Sequence, residues 1–123
     1  MKEAMFYEKL NKNMVHCYLC PHHCKIPEKK RGICGVRENL DGVLYSLVYG
    51  KAVSRAVDPI EKKPLFHFYP GSESYSVATV GCNFRCKNCQ NYEFSLLSKE
   101  NRKLIIGEDV SPKEVVKAAK HLG

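Results

Sequence analysis

The chain has 123 residues, of which 44% are hydrophobic and 27% charged, and this balance is typical of one folded globular unit rather than a disordered chain. No stretch approaches the ~20 consecutive apolar residues of a membrane span, and the first residues contain no apolar run suited to a signal peptide. We therefore expect a cytoplasmic location and no membrane partner.

Seven cysteines in such a protein indicate metal binding or redox chemistry, because structural disulfides are rare in reducing compartments and an odd number cannot all pair. The formal charge of +7 raises the possibility of nucleic-acid binding. Seven thiolates holding a zinc ion and a doubly charged cluster core would reduce that charge to about +4. The basic residues are also scattered, so nucleic acid is not the expected partner.

The amino-terminal segment, residues 1–36, begins with "KEAMFYEKL", where apolar residues recur at roughly helical spacing and predict a short helix. The segment that follows, "HCYLCPHHCKIPEKKRGICGV", is rich in proline, glycine and charge and reads as a loop. An apolar core cannot order such a loop by itself. Something else, such as a bound metal, is expected to do so.

Four cysteines in this loop have the spacing C-x2-C-x3-C-x9-C: Cys17, Cys20, Cys24 and Cys34. Four thiolates favour a closed structural site, either tetrahedral zinc or a second iron–sulfur cluster, and the spacing does not separate the two metals. His16, His22 and His23 lie beside them in the sequence and could replace one ligand, although a polar loop position or a supporting hydrogen bond is the favoured interpretation.

Residues 37–70 have the composition of a hairpin region. Asp41-Gly42 is a turn signal, and "VLYSLVY" and "AVSRAV" on either side of Gly50-Lys51 predict two antiparallel strands. The next segment, "DPIEKKPLFHFYPG", contains three prolines and is expected to connect elements. Within it, we interpret Lys62 and Lys63 as a solvated turn.

Several aromatic residues of this region are interpreted as core rather than as a stacking platform. His67 is likewise interpreted as a packed or hydrogen-bonded histidine. The aromatic set consists of Tyr45, Tyr49, Phe66, Phe68 and Tyr69.

Residues 74–123 read as a strand, a long loop and a helix. "SYSVATV" suits a buried parallel strand, and Ser111, Pro112 and Glu114 form a capping-box signature that begins a helix, with Gly123 as its stop. A strand, loop and helix in this order predict the first β-α unit of an α/β barrel or open sheet, whose chemistry lies at the carboxyl ends of its strands.

Three more cysteines, Cys82, Cys86 and Cys89, follow that strand at the spacing C-x3-C-x2-C. Three thiolates can hold three irons of a cubane cluster and leave the fourth iron open to a substrate. A three-cysteine zinc or disulfide loop is the structural alternative. A ferredoxin-type electron carrier would close each cluster with four thiolates, which would require eight cysteines rather than seven. A zinc-ribbon binding module would explain the first four cysteines only.

The three-cysteine motif resembles the signature of the radical S-adenosylmethionine superfamily. Together with "CYLCPHHC", "GICGVREN" and "DPIEKKPLFHF", it resembles the radical enzyme of the AmmeMemoRadiSam system, a group related to pyruvate formate-lyase activating enzymes. The resemblance implies a 4Fe–4S cluster on Cys82, Cys86 and Cys89 and S-adenosylmethionine on the open iron. It also implies an electron donor such as flavodoxin or ferredoxin, and hydrogen abstraction from a substrate that can be a protein.

In the same superfamily, the backbone before the third cysteine contacts the adenine of S-adenosylmethionine. Asn88 occupies that position here, where relatives usually carry an aromatic residue. No catalytic side chain is assigned.

The resemblance completes the predicted fold class, which is α/β. A cysteine-rich metal-binding and β-hairpin region, residues 1–73, would precede the start of a partial (β/α)6 radical S-adenosylmethionine barrel, residues 74–123. Because a related complete eight-fold barrel takes ~250 residues, we expect the chain to be a truncated amino-terminal part with little activity alone.

Overall fold

Short antiparallel strands make up most of the regular structure in the computed structural model, which describes residues 1–100 and 105–122 without the side chains of Leu97 and Glu100. The chain divides into two compact units, one formed by Met1–Tyr49 and Val80–Ile106 and the other by Gly50–Thr79 and Gly107–Gly123. In the described part of the chain, no helix has both the length and the apolar character needed to cross a bilayer.

In its described residues, the first unit contains six short strands: β1 (Lys2–Glu3), β2 (Tyr7–Lys9), β3 (Val15–Cys17), β4 (Cys24–Ile26), β5 (Arg37–Leu40) and β6 (Val43–Ser46). They pair into two three-stranded antiparallel sheets, ordered β1-β6-β5 and β2-β3-β4. Two four-residue helices, α1 (Tyr92–Ser95) and α2 (Leu97–Glu100), belong to the same unit.

The predicted amino-terminal helix is wrong, because β1 and β2 occupy that segment. Phe6 between them has a φ of 61°, which breaks any helix. Backbone pairing with β6 and β3 satisfies the hydrogen-bonding groups of this segment. An isolated helix of this length would be marginal in water, so tertiary pairing overrides the apolar spacing.

The core of the first unit lies against one face of β3, where alternate side chains are buried. Val15 and Cys17 point inward and are buried, whereas His16 between them is partly exposed. Ile26 and Leu44 from neighbouring strands complete this core with Ala4, and Tyr7 and Cys24 pack against it. One of the predicted metal-ligating cysteines is therefore itself a core residue.

The Asp41-Gly42 turn is confirmed. Both residues have positive φ, 52° and 74°, as a two-residue turn between antiparallel strands requires, and Leu40 and Val43 pair across it. The strands that this turn joins are β5 and β6. The predicted hairpin around Gly50 is wrong, since β6 pairs with β5 and β1 instead.

The second unit contains four strands and one longer helix: β7 (Lys51–Ala52), β8 (Ser54–Pro59), β9 (Glu73–Ala78), β10 (Glu108–Asp109) and α3 (Pro112–Leu122). Antiparallel pairs β8-β9 and β7-β10 form its two small sheets. A short 3-10 helix, Ile60–Lys62, begins the proline-containing connection between β8 and β9.

The capping box of α3 is confirmed. The Ser111 Oγ accepts from the Glu114 backbone N–H at 3.2 Å, and Glu114 Oε2 accepts from the Ser111 backbone N–H at 2.6 Å. The second bond lowers the pKa of the Glu114 carboxyl. The predicted stop at Gly123 lies outside the described residues.

The predicted α/β fold, with the first unit of a partial (β/α)6 barrel, is wrong. The strand expected to be parallel and buried is β9, which pairs antiparallel with β8 in full register from Ser54↔Ala78 to Pro59↔Glu73. None of its residues is buried, whereas a parallel barrel strand is covered on both faces. The preceding proline-rich segment is short enough to return the chain directly alongside β8, which produces a hairpin.

The predicted aromatic core is wrong for four of its five residues, since Tyr45 alone is partly buried and Tyr49 is 46% exposed. Phe66, Phe68 and Tyr69 are 57 to 73% exposed, and His67 among them is exposed as well. Phe68 and Tyr69 contact each other edge to face, with ring centroids 4.8 Å apart. Each ring therefore remains largely in solvent, in a segment without long regular structure to pack it.

Candidate metal centre

The four amino-terminal cysteines line one cavity of about 110 Å³. Cys17 is the last residue of β3 and Cys24 the first of β4, and the two lie directly opposite each other in the antiparallel register. Opposed residues in such a pair have Cβ atoms roughly 4.5–5.5 Å apart. Cys20 belongs to the turn that joins these strands, and Cys34 comes from the loop before β5.

The backbone of this region is shaped to bring the cysteines to one side. His23 has a φ of 45° and donates its backbone N–H to the Cys20 carbonyl at 3.2 Å, which closes the turn between β3 and β4. Gly32 approaches Cys24 closely, because a Cβ at Gly32 would lie 3.6 Å from Cys24 Sγ and 3.1 Å from Ile26 Cδ1. A side chain at position 32 would therefore press on the cavity wall.

The rest of the cavity wall is mainly apolar, with Leu19, Ile26 and Ile33 among its residues. Arg37 adds one positive charge. Its Nη1 donates to Cys17 Sγ at 3.4 Å and to the Met5 carbonyl at 2.8 Å. A guanidinium at this position offsets part of the negative charge that thiolate ligands would bring into a poorly solvated space.

The donor chemistry of this cavity fits a soft metal, since four cysteines, two at strand ends and two in loops, line one space. The four sulfurs are less closely grouped than the ligands of a formed metal site. Among the side chains that the structure describes, no three from Cys, His, Asp or Glu are grouped closely enough to hold a metal ion. The choice between zinc and a second cluster stays a prediction.

The second cysteine group lies in a loop without helix or strand, residues 79–91. Cys86 is exposed, and Cys82 and Cys89 are partly exposed. The Cys82 Sγ accepts from the Phe84 backbone N–H at 3.4 Å, and Cys89 Sγ lies 3.2 Å from the hydroxyl of buried Ser95 in α1. The loop carries all three sulfurs but does not gather them into a metal-holding group.

Gly81 fixes the start of this loop. Its φ is +95°, and its N–H donates to the Phe94 carbonyl at 2.9 Å, which ties the beginning of the loop to α1. A Cβ here would lie 2.5 Å from Val36 Cγ1 and 3.1 Å from the Cys34 carbonyl oxygen. Only glycine suits this position, which directly precedes Cys82. Asn88 is exposed in the same loop, and its predicted contact with adenine stays a prediction.

A hydrogen bond joins the loops that carry the two cysteine groups, which the sequence did not predict. The His22 ring Nε2 lies 2.7 Å from the Asn83 carbonyl oxygen across 61 positions of sequence, and Asn83 also lines the four-cysteine cavity. His22 therefore connects the two cysteine-bearing loops of the first unit, and its Nε2 is engaged with a carbonyl oxygen rather than with a sulfur. No local sequence signal identifies a contact between such distant residues.

The other two histidines bind each other and a carboxylate. His16 Nδ1 lies 2.7 Å from Glu8 Oε1, and His16 Nε2 lies 3.1 Å from His23 Nδ1. The prediction of polar, hydrogen-bonded histidines is confirmed for this pair, but the predicted loop position is wrong for His16, which lies in β3. Their ring nitrogens are engaged with partners other than the cysteine sulfurs.

A second polar cluster, in the other unit, surrounds Asp58. Its carboxylate accepts from Lys62 Nζ at 2.6 Å, Lys63 Nζ at 3.5 Å and Ser76 Oγ at 3.1 Å. These contacts, the Lys62 hydrogen bond foremost, lower the pKa of Asp58 despite its burial. The i,i+4 spacing of Asp58 and Lys62 was a usable signal, but the sequence interpretation treated the lysines only as a solvated turn.

No known protein family profile and no solved structure matches the chain. It is 53% identical over 119 residues to Uncharacterized protein MJ0808 of Methanocaldococcus jannaschii, and the matched region covers 97% of this chain and 35% of that protein. It is 28% identical over 109 residues to Uncharacterized protein MJ0674 of the same organism, covering 86% of this chain and 27% of that protein. The chain thus spans about a third or less of the curated relatives that it matches.

Proposed function

We propose that the chain is the amino-terminal part of a radical S-adenosylmethionine enzyme and that it binds a 4Fe–4S cluster through Cys82, Cys86 and Cys89. The observation that carries the proposal is the C-x3-C-x2-C spacing of three thiols within one solvent-accessible loop. Three thiol donors match a cluster with one iron left open for a second molecule. The accessible position of Cys86 supports entry of that molecule.

Cys82, Cys86 and Cys89 would hold the cluster, which would supply an electron for the reductive cleavage of S-adenosylmethionine to methionine and a 5'-deoxyadenosyl radical for hydrogen abstraction. The residues of this chain would hold and orient the cluster. Gly81 anchors the start of the loop on α1, and Ser95 restrains the Cys89 sulfur at its end. The reaction on the substrate is proposed to be glycyl-radical-activase-like, with flavodoxin or ferredoxin as the electron donor.

The amino-terminal cysteines would have a different role. Cys17, Cys20, Cys24 and Cys34 surround a cavity between β3, β4 and the loop before β5, and a metal there would crosslink these segments. This supports a structural zinc ion or a closed second cluster. The same observation favours the second candidate function, a metal-stabilised binding module without radical chemistry.

The test is anaerobic reconstitution with iron and sulfide, followed by iron analysis, visible absorption and electron paramagnetic resonance of the reduced protein. We expect the Cys82–Cys89 loop to account for about four irons per chain and for an iron–sulfur chromophore that C86S removes. A second cluster at the amino-terminal cysteines would add about four irons and a chromophore that C86S leaves in place. The matched control is C20S, which removes one thiol from the other group and should retain this chromophore. Adding S-adenosylmethionine should change the resonance spectrum of the reduced cluster because it binds the open iron.

Two results would contradict the proposal. One is retention of the full chromophore in C86S together with its loss in C20S, since the cluster would then belong to the amino-terminal cysteines. The other is a resonance spectrum that S-adenosylmethionine leaves unchanged, as expected of an electron carrier. Zinc without iron after reconstitution would favour the binding module. For the 123-residue chain alone we expect cluster binding with little or no 5'-deoxyadenosine formation.

A further inference from the structure

A polar cavity of about 150 Å³ lies in the first unit, lined partly by Arg31, Arg85, Ser98 and Lys99. Its volume is roughly ten times the ~10–15 Å³ that one water molecule needs, so it has room for a small polyatomic ion. It is separate from the four-cysteine cavity, although Gly32 and Ile33 contribute to both walls.

The first observation that indicates a ligand is the buried hydroxyl of Ser98. Its side chain is fully buried, at 0% exposure, and its Oγ lacks a hydrogen-bond partner among the residues that the structure describes. A buried hydroxyl without a partner is unfavourable and rare in native proteins. Gly35 permits the close approach of this residue, because a Cβ at position 35 would lie 2.9 Å from Ser98 Oγ.

The charge around the cavity is the second observation. Arg31 is paired with Glu38, since Arg31 Nε donates to Glu38 Oε2 at 3.0 Å. Lys99 Nζ donates instead to a neutral acceptor, the Phe84 carbonyl, at 2.5 Å. Among the side chains that the structure describes, Arg31, Arg85 and Lys99 line the cavity with three positive charges, and Glu38 offsets one of them.

We propose that this cavity binds a phosphate group in its dianionic form. Two excess positive charges match two negative charges, and a tetrahedral phosphate presents oxygens in several directions to donors that arrive from separate segments. Ser98 Oγ would donate to one oxygen, and Arg85, Lys99 and Arg31 would supply charge-assisted contacts. The site requires no metal, although Arg85 belongs to the loop that carries Cys82 and Cys86.

The test is titration of the 123-residue chain with inorganic phosphate by isothermal calorimetry at constant ionic strength, which keeps screening fixed. We expect saturable binding, an increase in the thermal unfolding midpoint with phosphate, and about tenfold weaker binding in R85Q. The matched control is K87Q, which removes the same charge from an exposed residue of the same loop that does not line the cavity. Phosphate affinity should be unchanged in this variant.

S98A separates a ligand-binding hydroxyl from a structural one. Removing an unpartnered buried hydroxyl should leave the midpoint of the phosphate-free protein unchanged or higher, while binding weakens several-fold. Phenyl phosphate tests whether the bound phosphate belongs to a larger molecule. Affinity for phenyl phosphate equal to or above that for inorganic phosphate indicates a phosphomonoester ligand. No binding of phenyl phosphate indicates the free ion. Either result supports the proposed site.

Three results would overturn the proposal: no saturable phosphate binding, equal loss of affinity in K87Q and R85Q, or acetate binding as tightly as phosphate. The first would mean that the cavity holds only water. The second would indicate a diffuse electrostatic effect, and the third would exclude recognition of a dianion.

Discussion

Replacing Asn39 by alanine should destabilise the first unit strongly. Asn39 is fully buried, and its Nδ2 donates to the carbonyls of Asn13 and Ile26 at 2.7 and 2.8 Å. Its Oδ1 accepts from the Gly42 N–H at 3.0 Å. One side chain thus joins the turn before β3, the end of β4 and the hairpin turn between β5 and β6.

The magnitude follows from the three backbone groups that would lose their partner. A buried polar group left unsatisfied costs about 1–3 kcal/mol, so N39A should lower the free energy of unfolding by about 3–5 kcal/mol after partial hydration. That is a large share of the ~5–15 kcal/mol typical of a whole domain. N39D should be no better, because its carboxylate would face the two carbonyls that Nδ2 now serves.

Urea unfolding followed by circular dichroism measures this change through the midpoint at constant slope. The control is N88A, at an exposed asparagine of the cysteine loop, where we expect a change within about 0.5 kcal/mol. A loss below about 1 kcal/mol in N39A would refute the reasoning, because the three hydrogen bonds would then be replaceable by water.

Three further variants test individual contacts. G81A should destabilise the protein by about 2 kcal/mol or more in urea unfolding, because it combines positive φ with a clash against Val36. S111A should cost about 1 kcal/mol through the lost cap of α3, measured in the same way. The pKa of Asp58 is lower in the folded protein than its usual value of 3.8, so the ionised carboxylate stabilises the fold at pH values above 3.8. This contribution is lost as the pH falls through the folded-state pKa. D58N should therefore be less stable at neutral pH, and its thermal midpoint should fall less than that of the wild type on acidification.

Each of these variants has an outcome that would contradict its argument. Wild-type stability in G81A would show that the loop backbone can move away from Val36 freely. S111A should lose helicity while S111D retains it, so equal losses would exclude capping as the cause. Parallel acid unfolding curves for D58N and the wild type would show that the contacts of Asp58 contribute no pH-dependent stability.

The sequence predicted those features whose signals are local. Asp41-Gly42 specifies a tight turn because its two residues tolerate positive φ, and Ser111 with Glu114 specifies a helix start by reciprocal hydrogen bonds. The proline-rich connection after Pro59 also follows from local chemistry. Each of these depends on residues within a few positions of one another, so the rest of the fold cannot easily override them.

The errors concern pairing partners, which local composition does not specify. The segment "SYSVATV" reads equally as a parallel or an antiparallel strand, and only its pairing with β8 decides between them. Similarly, "KEAMFYEKL" has helical spacing but is divided between two sheets. The contact of His22 with Asn83 and the buried hydroxyl of Ser98 also depend on distant segments, which is why the sequence did not indicate them.

The hydrogen bond between His22 and Asn83 would couple a metal at the amino-terminal cysteines to the loop that carries Cys82. His22 lies between Cys20 and Cys24, and Asn83 directly follows Cys82, so the hydrogen bond between them joins the two groups through residues adjacent to the sulfurs. Without a metal, few apolar contacts order either loop, because its residues are mostly polar or exposed. A metal that fixes Cys20 and Cys24 would also fix His22 and restrain the backbone beside Cys82. A structural metal at the first group would thereby reduce the entropy lost when the second group binds its own cofactor.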